Sequence, residues 1–498
     1  MEPERSHREP SLSRRALITG GALLTVGVAA GVVVATREGP ETSAATPPPT
    51  PPPPDMRAFV STELTVPAVT SRKMGTTAAG LLLVTQQAKG FNGLIMTESG
   101  EPVWIEPTKK NITDLRVQTY QGKPVLTYWS GKSTGGMGAG RGTILDDTYT
   151  PIATVSAGAD LEADLHEFKL TDRGTALITV YTAVKADLTP IGGAKAGYIY
   201  DCHVQEIDVA SERLLLDWST LDHIPITETY LGLTQDPGHD GTTAGRAFDP
   251  YHLNAVEDDG DQLLVSARHT HAIYAIDRAG GDLRWRFGGK KSDIEVAENA
   301  VFAWQHDVRH HPDGTITLFD NHRYGAEKGE SRGLTFALSA DESRASLVQT
   351  YKYDEHLGTA MGSMQVLPNG NVLVGWGTDP AVTEFTPGGK PVFEAALGGI
   401  SYRSFRQEWT AHPATSPDIA VLAEGSGMRV FASWNGATEV SSWRVLSSST
   451  AASGPTGVGE VKRSGFETSL LVPAAARVTV QALDSDGTVI GTSKTLTV

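Results

Sequence analysis

From residue 75 onward the apolar residues come in short runs that alternate with polar ones, and each run stops at a turn rich in Gly, Asp or Asn. Alternation at a period of two marks a strand with one buried face. No stretch beyond residue 75 sustains the period of a helix. The runs group into a loose repeat. Its unit is a strand, a Gly- or Asp-rich turn, a second apolar strand, a third strand often ending in Asp, a Gly turn, and a last strand carrying Trp or an aliphatic. The first unit begins at Ala78 (AAGLLLVTQQAKGFNGLIMTESGEPVWIEP), and YHLNAVEDDGDQLLVSARHTHAIYAIDRAGGDLRWRFGG is the fourth.

Six such units predict an all-β chain with a six-bladed β-propeller over residues 57–410. A long array of β-sandwiches explains the four-strand unit less well. From about Ser416 the runs change to IAVLAEGSG, RVFASWNG, SSWRVLSSS, GFETSLLV and RVTVQALDSDG. This spacing predicts an immunoglobulin- or fibronectin III-like sandwich over residues 411–498, with Trp434 and Trp443 in its core. At the other end, SLSRRALITGGALLTVGVAAGVVVAT sets Arg14-Arg15 before an uncharged run from Ala16 to Thr36. Residues 1–36 therefore predict a twin-arginine export signal, or an anchor retained in the membrane. Residues 37–56 are a proline-rich linker containing TPPPTPPPPD, a stiff spacer. The expected location is extracytoplasmic, secreted or membrane-anchored.

Composition sharpens this picture at three points. Of 498 residues, 53 are Gly and 28 Pro, as a turn-rich β protein requires. The net charge of −16 argues against nucleic acid as a partner, because that role needs a basic face. The single cysteine, Cys202, excludes an intramolecular disulfide and Cys-rich zinc sites. It lies in YIYDCHVQEIDV and reads as a small buried apolar group.

The candidate chemistry follows from the repeat. Aligned on the first turn glycine, His166 stands eight residues before Gly174, His252 eight before Gly260, and His306 eight before Gly314. The sixth unit has Gly362 there, with Ser363 beside it. First strands of propeller blades line the central channel, so the three imidazoles are expected to converge at one mouth. One histidine is ordinarily structural, but packing has no need of imidazole three times running. Arg268, in LLVSARHTH, ends the next strand and reaches the same pocket, a fork of donors suited to a tetrahedral oxyanion. Strand alternation places His269 and His271 on the opposite face from Arg268. His310 and His311 read as solvated, and His356 has no assigned role. A three-histidine zinc site lacks a convincing surrounding pattern, so neither metal nor cofactor is expected.

These residues resemble the arylsulfate sulfotransferase family, six-bladed propellers that use no nucleotide sulfate donor. The resemblance spans roughly residues 75–405 and rests on DLHEF at Asp164, YHLNAV at Tyr251, SARH at Ser266, LRWRFGG at Leu283, QHDVRHHPDG at Gln305 and LFDNH at Leu318. It implies that His166, His252, His306 and Arg268 form the catalytic set, with His306 as the residue that is covalently sulfated. It also implies a small aromatic sulfate donor and a phenolic acceptor. Asn254 and Asp307, beside the histidines, are expected to orient them, and Phe248, Tyr251 and Trp304 to wall the phenol. The chain departs from the best-known branch, whose sandwich lies at the N-terminus and which carries a disulfide. Two other readings fit the sequence: an envelope-tethered binding module for a glycan or protein, and a lyase or hydrolase using histidine with a metal.

Overall fold

The computed structural model describes residues 56–87, 91–107, 110–322, 330–450 and 454–498. The predicted export signal and nearly all of the proline-rich linker lie outside them. The described residues belong to one compact unit and are overwhelmingly β, with a single helical turn, Thr220–His223, and a few 3-10 turns among them.

Most of the described residues form largely antiparallel sheets, counted here in chain order: a four-stranded sheet, an eight-stranded one that divides into two four-stranded meanders, and sheets of four, five and five strands. The second sheet holds Asn111–Tyr120, Lys123–Thr134, Met137–Leu145 and Pro151–Val155. The third holds Ala163–Leu170, Thr175–Ala186, Gly197–Asp208 and Leu214–Ser219, and it joins the second through an Ala163–Gly140 pair. The fourth, fifth and sixth begin with Leu253–Asp259, His306–His310 and Ser363–Val366. The turn glycines that align the repeat take the same left-handed conformation: Gly122, Gly174, Gly260, Gly314 and Gly370 have φ between +73° and +84°, a region that a Cβ disfavours.

The first sheet is built from both ends of this region. Ile400–Gln407 pairs antiparallel with Leu81–Gln87, followed by Phe91–Met96 and Pro102–Ile105. A second seam adds Thr70–Lys73 to the outer strand Pro391–Ala396 of the sixth sheet. The repeat alone did not reveal either seam, because both pair strands that lie far apart in sequence. Neighbouring sheets pack face to face through apolar clusters. Phe287, Phe302 and Phe336 bridge the fourth and fifth, and Val204, Tyr251 and Tyr274 the third and fourth. Cys202 is fully buried in the latter cluster, and burial pushes its thiol pKa well up.

The C-terminal strands form two further sheets, Asp418–Glu424, Gly427–Ser433 and Glu467–Pro473 against a five-stranded sheet centred on Ser442–Ser448 and Arg477–Leu483. Trp434 and Trp443 sit in the core between them, as expected. Asn435 ties this unit to the first sheet, bonding both the N–H and the C=O of Ile105.

A buried ion network joins the innermost strands of the meanders. Arg403, on the closing strand, lies 2.8 Å from Asp114 Oδ1, 3.0 Å from Glu167 Oε1 and 3.2 Å from Asp307 Oδ1. Arg309 lies 3.0 Å and Arg116 2.6 Å from Glu167. Burial alone pushes the Glu167 carboxyl up, but Arg309, Arg403 and Arg116 outweigh it and hold it well below the ordinary range. Removing one member strands the others without compensation. Arg403→Ala is expected to lower unfolding stability by about 3–5 kcal/mol, measured by denaturant titration. An exposed control, Arg344→Ala, is expected to change it by less than about 1 kcal/mol.

Candidate active site

Five of the six innermost strands shift register near their start, at Thr113/Arg116, Ala163/Phe168, Leu253/Ala255, His306/Arg309 and Ser401/Ser404. Such bulges re-aim side chains. The innermost strand of the sixth sheet pairs without a shift, and it is the one whose aligned position is Gly362. The shifts at the third, fourth and fifth sheets deliver His166, His252 and His306.

Each of the three rings is held through Nδ1. His306 Nδ1 is 2.6 Å from Asn321 Oδ1 and 3.1 Å from the Trp304 carbonyl. Asn321 Nδ2 donates to the carbonyls of Gly358 and Met361, so its amide oxygen is the atom turned to the ring. Nδ1 therefore carries the proton and Nε2 the lone pair, consistent with the Met361 N–H 3.3 Å from Nε2. His166 Nδ1 lies 2.5 Å from Asp164 Oδ2, and His252 Nδ1 2.5 Å from Asp249 Oδ2. Those carboxylates are fixed in turn by the N–H groups of Gly138 and of His252 itself. The His166 and His252 ring centroids are 4.8 Å apart, and His269 stacks on His252 at 4.7 Å.

Arg268 closes the cluster. Its guanidinium lies 4.6 Å over the Trp304 ring, donates to the Thr359 carbonyl at 3.0 Å and meets His269 Nε2 at 2.9 Å. Burial brings its pKa down to about 10, so it stays charged at neutral pH. Burial, reinforced by Arg268, holds His306 well below the ordinary imidazole value; burial, His166 and Arg268 do the same for His252. The pocket thus combines a fixed cation with neutral imidazoles whose lone pairs have a defined tautomer.

Several expectations are corrected here. Asn254 does not orient a histidine: its Nδ2 donates to the Gln305 carbonyl, and its own carbonyl accepts from Arg403. Asp307 belongs to the axial ion network, bonded to Arg309 and to the N–H of Met364. Tyr251 and Phe248 are fully buried, the Tyr251 hydroxyl donating to the Ile224 carbonyl, so neither walls a pocket. Trp304 does lie at the site, beneath Arg268. His269 is on the same side as Arg268 because the strand ends at Ala267 and residues 268–270 form a 3-10 turn, which breaks the alternation. His310 and His311 are half-buried and bonded, to Asp259 and Thr317.

The orienting groups Asp164, Asp249 and Asn321 escaped the sequence reading, as did Tyr181, whose half-buried ring lies 5.7 Å from His166 and 5.9 Å from His252. DLH and FDPYH do carry an Asp two or three residues before the histidine, but nothing local marks Asn321. Among the described residues, Asp249, His252 and His269 bring possible metal-ligand atoms within 4.8 Å of one another. Those atoms are already engaged: Asp249 accepts from His252 Nδ1, and His269 Nε2 faces the Arg268 cation, which would repel a second positive charge.

The depressed pKa of His306 has a testable consequence. Its folded value lies below the free value of 6.5, so between the two the unfolded chain binds more protons. Its contribution to stability therefore falls as pH drops below about 6.5. Asn321→Asp places a carboxylate on Nδ1 and is expected to raise the His306 pKa, read by NMR titration of the imidazole nitrogens.

Comparison with known proteins completes the picture. No curated protein matches the chain. Solved structures that resemble it include a Bacteroides caccae protein of unknown function, 12% identical, covering 66% of this chain and 98% of that one with a TM-score of 0.39. Virginiamycin B lyase from Staphylococcus aureus is 8% identical, covering 73% and 95% with a TM-score of 0.34. The sequence model of the arylsulfotransferase (ASST) family matches residues 116–398, more than half of the chain and the whole stretch that supplies His166, His252, Arg268 and His306. The chain is a member of the arylsulfotransferase family.

Proposed function

We propose that the protein moves a sulfuryl group from a phenolic sulfate ester to a phenolic acceptor through a sulfohistidine at His306, without a nucleotide donor. The observation that carries this reading is the Nε2 lone pair of a buried histidine, fixed by Asn321 and set beside a half-buried arginine. In the first step His306 Nε2 attacks sulfur. The N–S bond forms as the S–O bond to the aryl oxygen breaks, and the electron pair leaves on the phenolate. In the second, the acceptor oxygen attacks the sulfohistidine sulfur and the N–S bond breaks, returning its pair to Nε2. His252, neutral and braced by Asp249, takes the acceptor's proton at Nε2 and gives it to the phenolate of the next cycle. Arg268, with His166, stabilises the sulfuryl oxygens as charge develops on them.

The six meanders, their order and their closure by Ile400–Gln407 support reading residues 57–410 as a six-bladed propeller. The two C-terminal sheets support an immunoglobulin- or fibronectin III-like sandwich over 411–498. Residues 1–36 then serve as a twin-arginine signal or anchor and 37–56 as a spacer that holds the enzyme outside the cytoplasm.

Intact mass spectrometry after brief exposure to a chromogenic aryl sulfate tests the mechanism. Wild type is expected to gain one sulfuryl group and lose it on addition of a phenol; His306→Ala and His306→Asn gain none. Removal of the Arg268 charge in Arg268→Gln is expected to slow adduct formation about 10²–10³-fold. A wild-type protein that neither gains the mass nor releases phenol from several donors refutes the reading.

A further inference from the structure

The hairpin of Lys123–Thr134 and Met137–Leu145 stands at the mouth that holds the histidines. A methyl group on Gly136, at its tip, would come within 3.8 Å of His252 Cε1, and the Gly138 N–H donates to Asp164, which braces His166. Antiparallel pairing sets Ser130 opposite Arg141 and Lys132 opposite Ala139, so these four side chains share one face. The other face is fixed by packing. A Cβ on Gly131, Gly138 or Gly140 would lie 2.7 Å from Trp129 Cζ2, and Trp129 Nε1 donates to the Ala163 carbonyl. The first face borders an open cavity of about 780 Å³, which Lys110, Ser156 and Glu162 also line.

Three cations, Lys110, Lys132 and Arg141, thus converge with one carboxylate around this cavity. The chain as a whole carries a net charge of −16, and cations elsewhere on its surface find carboxylates: Arg57 pairs with Glu101, Arg173 with Asp258 and Arg284 with Asp277. Among the described residues, none of the three cations at the cavity forms an ion pair. Like charges gathered on one sheet face repel unless a counter-charge arrives. Ammonium and guanidinium donors beside serine hydroxyls match an oxyanion.

We infer that this cavity binds an oxyanionic group, a carboxylate or a sulfate ester, carried by the acceptor at a point remote from its reacting hydroxyl. This rests on the sulfuryl-transfer reading above. Lys132 stands three residues from the hairpin tip at Gly135, about 10 Å along a strand. The group held there is therefore distinct from the sulfuryl group that His306 and Arg268 handle. An acceptor with a spacer of about that length reaches both places. Lys110, Lys132 and Arg141 act as specificity residues in this scheme: they select the acceptor's far end and take no part in bond making.

Calorimetric titration of the full-length protein, with no sulfate donor present, tests the site without requiring turnover. Three phenols on a six-carbon tether are compared, ending in a carboxylate, a sulfonate or a methyl ester. An anionic phenol is expected to bind about tenfold more tightly than the ester at low salt, and added salt to close the gap. The tighter of the carboxylate and the sulfonate identifies the group. Lys132→Gln and Arg141→Gln are each expected to weaken the anionic phenols about two- to fivefold and to leave the ester unchanged. Lys123→Gln, on the same hairpin but outside the cavity, is expected to match wild type. Hexanoate, the tether without its phenol, is expected to bind at least about tenfold more weakly than the phenolic acid. Equal binding of all three phenols, unchanged affinity in the Lys132→Gln/Arg141→Gln double variant, or hexanoate binding as tightly as the phenolic acid overturns the inference. Absence of the His306 adduct refutes the sulfuryl-transfer reading instead, and the titrations, which contain no donor, stand as a separate result.

Discussion

The structure depends on a buried knot of charge where the innermost strands meet. Arg403 comes from the strand that closes the ring of meanders and touches carboxylates from three other sheets. Taking these charges out of water is expensive, and only mutual pairing repays it. The knot therefore tolerates one arrangement of the innermost strands and specifies their relative heights. Its consequence for the site is direct. His166 and Glu167, His306 and Asp307, Tyr402 and Arg403 are consecutive residues in which the first faces the pocket and the second enters the knot. The Tyr402 hydroxyl closes the link by donating to the His166 carbonyl. Charge pairing below sets the geometry of the imidazoles above.

The pocket carries strain where it carries chemistry. His252, His271, Trp304 and Met361 all take positive φ, a costly conformation for bulky side chains. Met361 thereby points its N–H at His306 Nε2, and Trp304 lies flat beneath Arg268. Burial and the neighbouring arginine hold His306 and His252 well below the ordinary imidazole value, and the His306 Nε2 lone pair accepts from the Met361 N–H. A carboxylate on His252 and an amide on His306 divide the roles. The carboxylate can stabilise an imidazolium after proton transfer, whereas the amide fixes the tautomer without adding charge.

Much of this was legible in the chain. Period-two alternation and turn glycines are local properties, and the glycine eight residues after each histidine does adopt the left-handed turn that such alignment presumes. The sixth register, which holds Gly362 where three others hold histidine, belongs to the one innermost strand of the six that pairs without a shift. The errors share one cause. The expectations for Asn254, Asp307, Tyr251 and Phe248 rest on nearness in sequence, yet register shifts at Leu253/Ala255 and His306/Arg309 send Asn254 and Asp307 to other surroundings, and Tyr251 and Phe248 are buried in the segment before the strand. His269 was misplaced because a 3-10 turn interrupts the strand.

The sequence by itself determined the all-β class, the repeat and the family, and it singled out His166, His252, His306 and Arg268, which the fold brings together. These follow from residue type at fixed local spacing. Tertiary structure alone decided how the ring closes, which groups orient the histidines, and which rings border them. Gln407 pairs with Leu81 and His306 with Asn321 across separations that no local pattern encodes. Such partners are selected by burial and charge pairing after the sheets have assembled, and these forces act on distance in space rather than along the chain.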